Sequence, residues 1–339
     1  MNNWKGYEKG INLGGWLSQC EYSLEHFENF ITEADFKQIK AWGFDHVRLP
    51  FDYNVLQDNS GHFYENGFHY LDLAVNWAIK TGLNIILDLH KTTGFSFDKE
   101  ENEIGLFGNQ LYEKYFMDLW ILMAARYGKI GPNVSFELLN EVTSPSFNDG
   151  WMRLAEATIK EIRRIAPNVT IIFGGYWNNS PDAIKDMINP PDKNVFYTFH
   201  SYDPMCFTHQ GAGWVDAMPL DYRLKYPFNF EGPEVEGAKS CYEKMLMPWP
   251  KGMSTEEQFE QKFASALQVA KERNVLLYCG EYGVIDLADP ESTLNWYKDI
   301  HKVLNKYGIG HCIWNYKGKN FGLSSSHYDT IRDEILRTM

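Results

Sequence analysis

The chain has 339 residues, of which 44% are hydrophobic and 23% charged, enough apolar material for a large core in one domain or two, and its formal net charge is −13. That acidic balance, with no Lys or Arg run interleaved with aromatics, excludes docking on a nucleic-acid backbone or an anionic membrane surface and favours a neutral ligand. Aromatic residues reach 16%, a supply of flat apolar faces for sugar rings, although core packing is their commonest use.

The N-terminus, Met1-Asn-Asn-Trp-Lys-Gly6, lacks the basic and apolar regions of a signal peptide, and no window is long and apolar enough to span a bilayer. The chain as it stands reads as cytoplasmic, and as secreted if a leader has been removed. Cys20, Cys206, Cys241, Cys279 and Cys312 form an odd, widely spaced set without CxxC and are expected to be reduced thiols.

Eight short apolar or β-branched runs follow in order, at 10–17, 44–51, 83–91, 134–141, 169–176, 195–202, 275–282 and 308–316. Between them lie stretches whose apolar residues return every three or four positions: 34–42, 70–77, 111–127, 151–165, 256–271 and 293–304. Strand and helix in alternation predict a (β/α)8 TIM barrel over 1–339, an α/β fold in a single domain, since no Pro/Gly/Ser boundary divides the chain. The interval 203–255, rich in Pro, Gly and aromatics, far exceeds an ordinary βα loop and is predicted to be an inserted subdomain that forms a lid or a subsite wall.

In such a barrel the active site lies at the C-terminal ends of the strands. Strand two ends with Arg48, strand three with Asp88 and His90, strand four with Asn140 and Glu141, strand six with His200 and Tyr202, strand seven with Glu281, and strand eight with Trp314 and Asn315. Each alone has an ordinary explanation, such as a satisfied buried histidine or a barrel-closing ion pair; their convergence on one rim favours a site. Glu137, four residues before Glu141 at about 3.3 Å each, is placed roughly 13 Å deeper and read as structural, with Asp88 in a supporting position.

Glycosidic-bond hydrolysis with retention needs a carboxylic acid that protonates the leaving oxygen and a carboxylate about 5–5.5 Å away that attacks the anomeric carbon. Glu141 and Glu281 are the candidates. Arg48 and Tyr202 suit the task of keeping Glu281 ionised, and Asn140 that of binding a sugar 2-hydroxyl. Trp314 offers a face to a pyranose, and His90 and His200 can bond hydroxyls or tune the carboxylates. Trp16, Trp177, Trp214, Phe207 and His209 are candidates for outer subsites, with core packing as the alternative for each.

Rival chemistries lack their motifs. No metal is expected, because there is no His-x-His on strand one and no His-Glu-x-x-His; no cofactor is expected, because GxGxxG and GxxxxGK[ST] are missing; and a serine hydrolase would need GxSxG. A carbohydrate-binding barrel without catalysis is the alternative from another class, which the presence of both glutamates disfavours.

Seven ordered motifs, Gly10-Ile-Asn-Leu-Gly-Gly-Trp16, His46-Val-Arg-Leu-Pro-Phe51, Leu87-Asp-Leu-His90, Phe136-Glu-Leu-Leu-Asn-Glu141, Phe199-His-Ser-Tyr202, Tyr278-Cys-Gly-Glu-Tyr-Gly283 and Ile313-Trp-Asn-Tyr316, give the chain a marked likeness. It resembles glycoside hydrolase family 5, retaining (β/α)8 glycosidases with glutamates on strands four and seven. The resemblance implies Glu141 as acid/base and Glu281 as nucleophile, with Arg48, His90, Asn140, His200, Tyr202 and Trp314 around the scissile bond. Within the family the chain is most similar to the non-cellulosomal clostridial endoglucanase type, which has an extra subdomain after strand six and the Phe-Thr-His-Gln element found here at 207–210. That implies a β-glucan substrate, endo-β-1,4 or mixed-linkage, with exo-acting β-glucosidase, β-1,3-glucanase and β-mannanase activity as alternatives; separately, the chain is expected to be a monomer. One departure stands out: where many relatives carry a second His after the strand-three His, this chain has Lys91, a longer cation that can tighten a subsite or shorten the cleft.

Overall fold

Parallel strands wrapped by helices are buried on both faces, which is why they read as nearly unbroken apolar runs. The computed structural model of the chain describes residues 4–98, 101, 105–229, 232–233, 235 and 253–339. Its eight strands are β1 (Lys9–Asn12), β2 (His46–Asp52), β3 (Asn84–Lys91), β4 (Val134–Glu137), β5 (Thr170–Phe173), β6 (Val195–His200), β7 (Leu277–Tyr282) and β8 (Gly310–Ile313). Each pairs in parallel with its sequence neighbour and β8 returns to β1, closing the predicted barrel.

The helices 33–41, 65–81, 110–127, 148–165, 255–273 and 290–307 cover the six predicted periodic segments. In 148–165 the buried residues Trp151, Met152, Leu154, Ala155, Thr158, Ile159 and Ile162 form one stripe against the sheet. Local chemistry sets several ends. Ser254 and Glu257 make a reciprocal cap at the start of 255–273, and Asp289 with Pro290 opens 290–307. Gly82 and Gly308 close their helices in left-handed backbone.

Several strands are shorter than predicted. The β4 ladder ends at Glu137, so Asn140 and Glu141 stand on the loop beyond it, tied back by Leu138 N to Ile172 O (3.1 Å) and Asn140 N to Leu89 O (3.0 Å). The ladders beside β7 shift register between Phe199 and His200 and between Cys279 and Tyr282. Such irregularities re-aim side chains at a strand end, and they fall where His200 and Glu281 emerge. Of the predicted insertion at 203–255, residues 230–231, 234 and 236–252 lie outside the described residues, as does Cys241. Within the described residues the other four cysteines are in no disulfide, and no helix is long and apolar enough to cross a membrane.

Candidate active site

The rim is organised by one cation. Arg48, on β2, is fully buried, and a buried guanidinium is tolerable only when its donors are matched and its charge is met. It donates from Nε to Glu137 (2.7 Å) and from Nη2 to the other oxygen of Glu137 (3.1 Å) and to Asn140 (2.9 Å). Nη2 also lies 3.0 Å from Asp88, and Nη1 donates to Asn12 (2.9 Å) and Glu281 (2.7 Å). Glu137 is therefore structural as expected, both of its carboxylate oxygens accepting from Arg48. One guanidinium thus touches both Glu137 and Glu281.

Glu281 is 4% exposed at the end of β7. Besides Arg48 it accepts a hydrogen bond from Tyr202 Oη (2.8 Å), a donor pair that complements a carboxylate. Tyr202 is steadied by His209, whose ring meets it edge-on at 5.0 Å.

Glu141 has a different environment. Its backbone is left-handed (φ 46), an uncommon state for a side chain of its size. One carboxyl oxygen lies 2.7 Å from His200 Nδ1, and the other accepts from Asn178 Nδ2 at 3.0 Å. Burial raises the Glu141 pKa, whereas burial lowers that of His200 to about 4, so the imidazole is neutral at pH 7. Asn179 Nδ2 lies 3.3 Å from His200 Nε2, on the side of the ring away from the Nδ1 that faces Glu141. The ligand-type atoms of Glu141, His200 and Glu281 lie within 4.8 Å of one another. Those three are the one cluster among the described residues able to hold a metal ion, but their atoms are already engaged with each other and with Arg48, Tyr202 and Asn178.

A second imidazole completes the floor. His90 Nδ1 lies 2.6 Å from Asp88, and its ring is stacked nearly parallel to Trp314 (5.8 Å, 3°). Burial pushes the Asp88 carboxyl up to about 7 and His90 down to about 3; Arg48 opposes the first shift. Asn140 Nδ2, 3.5 Å from His90 Nε2, favours the neutral ring with its hydrogen directed at Asp88. Trp314 also explains Gly14, where a Cβ would sit 2.5 Å from the indole. Asn315 bonds both backbone groups of Gly14, fastening the β8 loop to the β1 loop.

Arg48, His90, Asn140, Glu141, His200, Tyr202, Glu281 and Trp314 thus meet at one rim. The outer-subsite candidates divide. Trp177 and Trp214 are each 55% exposed. Trp16 is fully buried, its indole N–H donating to Phe27 O (2.9 Å) and its ring stacked on Trp77, so it is a core residue. Phe207 is likewise fully buried, packed against Tyr226 in the core. His209 is mostly buried, its ring edge-on to Tyr202 and tilted against Phe321, and burial lowers its pKa to about 4. Lys91 is 5% exposed at its side chain and bonds Glu101 at 2.6 Å, so its ammonium ties the β3 loop to the barrel rim. Asn12, Asn178 and Asn179 were not anticipated. The signal for the last two was the turn-prone Asn-Asn-Ser-Pro run after β5, because Asn accepts left-handed backbone more readily than most residues.

Among known proteins, the cellulase family, glycosyl hydrolase family 5, matches residues 5–320. The chain is 43% identical to cellodextrinase A of Ruminococcus flavefaciens over 330 residues, covering 97% of this chain and 91% of that protein. It is 36% identical to endoglucanase C of Acetivibrio thermocellus over 337 residues, covering 98% of each. In three dimensions it is similar to the endoglucanase Cel5A of Thermotoga maritima, with a TM-score of 0.77 at 24% identity over 100% of this chain and 99% of that one.

Proposed function

Because the chain belongs to glycosyl hydrolase family 5, we propose that it cuts β-1,4-glucan chains internally with net retention, Glu141 serving as acid/base and Glu281 as nucleophile. The observation that carries retention is the spacing, and the roles follow from the Arg48 and Tyr202 donors on Glu281 and the burial that raises the Glu141 pKa. Carboxylate oxygens of the two residues within 4.8 Å suit a double displacement and leave no room for the water that an inverting mechanism needs between them.

In the first step a Glu281 oxygen attacks the anomeric carbon while the Glu141 carboxyl gives its proton to the glycosidic oxygen, releasing one half of the chain as an alcohol. Glu141 leaves this step as an anion and Glu281 as a glycosyl ester. In the second step water enters, Glu141 takes its proton, and the hydroxide oxygen bonds to the anomeric carbon, freeing the Glu281 carboxylate. Tyr202 and Arg48 restore the hydrogen bonds that Glu281 gives up while esterified. The His90 and Trp314 floor holds the sugar whose glycosidic bond is cut, and exposed Trp177, next to Asn178, is the candidate stacking face for a leaving-group sugar.

A second reading, preference for short cello-oligosaccharides, is favoured by the Lys91–Glu101 tie at the β3 side of the rim. Product sizing on cellulose, lichenan, glucomannan, laminarin and an aryl β-glucoside separates the two: random shortening marks internal cutting, and a single released sugar marks end-wise action. NMR of the first-formed anomer tests retention. A β-anomer is expected, and an α-anomer from a β-linked substrate overturns the double displacement. Action as a monomer belongs to the same proposal, with light scattering as its check.

A further inference from the structure

After Phe173 the chain crosses Gly174-Gly-Tyr-Trp-Asn-Asn179, and Trp177, Asn178 and Asn179 all take left-handed backbone, with φ of 50, 55 and 56. A lone Asn tolerates that region, but Trp does not favour it, and three such residues in succession persist only where the surroundings over-determine them. Here the surroundings are the acid/base. Asn178 N donates to Val142 O at 3.0 Å, joining the loop to the residue after Glu141. Asn178 Nδ2 donates to one Glu141 oxygen at 3.0 Å. Asn179 Nδ2 orients His200, whose Nδ1 faces the other oxygen at 2.7 Å. The left-handed run therefore aims two consecutive carboxamides, one directly and one through an imidazole, at a single carboxyl group.

We infer that Asn178 is a positioning residue for Glu141: its carboxamide fixes the carboxyl's orientation and favours the anion left after the first proton transfer, holding it ready to deprotonate the water of the second. The inference rests on the acid/base reading of Glu141. It agrees with the balance at that group, where burial is the largest influence and raises the pKa, and the Asn178 hydrogen bond is the largest influence opposing it. The titratable and charged groups around Glu141 are His200 on β6 and Glu281 on β7, with Arg48, Asp88, His90 and Tyr202 acting at longer range. The 177–179 run carries no charge. Removing the Asn178 side chain thus deletes a donor without altering the charges that Glu141 feels.

The test compares Asn178→Gly, which keeps left-handed backbone available and deletes the donor, with Asn178→Asp, which keeps the shape and substitutes a like charge. The readout is the pH profile of kcat/KM on a soluble β-1,4-gluco-oligosaccharide. Glu141 must be protonated to act as acid, so activity falls as pH rises through its pKa; loss of the donor raises that pKa and moves the alkaline limb upward, by about one pH unit for Gly and further for Asp. A role confined to holding the loop lowers activity without moving the limb. If Gly loosens the fold, seen as a lower denaturation midpoint, Asp carries the same readout. An unmoved or downward-moved limb in these variants overturns the inference. Glu141→Ala keeps the two levels distinct: if it abolishes oligosaccharide hydrolysis while the Asn178 variants leave the limb in place, only this inference falls. If Glu141→Ala leaves rate and profile unchanged, the acid/base reading falls with it.

Discussion

Arg48→Met removes the guanidinium that faces Glu137, Glu281 and Asp88 and substitutes an apolar side chain of similar reach. Because all of these groups are buried, the loss leaves carboxylates desolvated without a counter-charge, at a cost of ~3–5 kcal/mol of folding stability. The pH dependence is the sharper test. Burial raises the pKa of both Asp88 and Glu137, and Arg48 is the leading influence opposing each shift. A carboxyl whose folded pKa lies above its unfolded one binds more protons when folded, so the stability it contributes is present at low pH and is lost as pH rises towards the folded value. Without Arg48 both folded values move higher still. The deficit of the variant against the parent must therefore grow with pH, by up to ~1.4 kcal/mol per pH unit for each carboxyl that stays protonated only in the variant. Guanidinium unfolding at pH 5 and pH 8 measures it. A deficit under ~1 kcal/mol, as for an exposed pair, or one that fails to grow with pH refutes this account of the network.

Tyr202→Phe deletes the hydroxyl bonded to Glu281, and a hydrogen bond to a charged group is worth ~1.5–3 kcal/mol, so kcat/KM should fall roughly 10- to 100-fold with the fold intact. Initial-rate kinetics with a thermal melt check this, and a change in KM alone speaks against it. Trp16→Phe removes a buried N–H donor and should lower stability by about 1–3 kcal/mol while leaving KM for gluco-oligosaccharides unchanged; a raised KM at unchanged stability returns Trp16 to the cleft. Since burial raises the Glu141 pKa, the alkaline limb of kcat/KM should lie above the ordinary Glu value of about 4.3, and a limb at or below that value contradicts the acid role. Glu101→Gln frees the Lys91 ammonium from the β3 loop, and chromatography should show a shift in the product-length distribution on lichenan; an unchanged distribution removes that ion pair from any part in cleft length.

The barrel was legible because buried parallel strands and amphipathic helices differ in period, and the rim was legible because this fold places function at the strand ends. Arg48, His90, His200 and Glu281 follow from those two facts. Loop geometry was not legible in the same way. The early end of the β4 ladder at Glu137 is one case, because the path beyond it depends on bonds to Leu89 and Ile172 and on no local signal. Asn178 and Asn179 act from left-handed backbone, where the alternation of a strand no longer says which way a side chain points. Trp16 and Phe207 show the complementary failure: aromatic identity marks a residue as fit for a core or for a sugar, and only packing decides between them. Asn12 stood inside a quoted motif, yet its bond to Arg48 depends on β1 lying beside β2 in the closed sheet.

The central claim is that Glu281 bonds to the sugar while Glu141 manages the proton. A 2-deoxy-2-fluoro β-cellobioside with a good leaving group slows both steps, the second more, so the glycosyl ester accumulates, and peptide mass spectrometry then locates the attached sugar. The account predicts a single label on the peptide containing Glu281, formed more slowly in Tyr202→Phe and not at all in Glu281→Gln. A label on any other carboxylate, or rapid turnover of the reagent by Glu281→Gln, contradicts it.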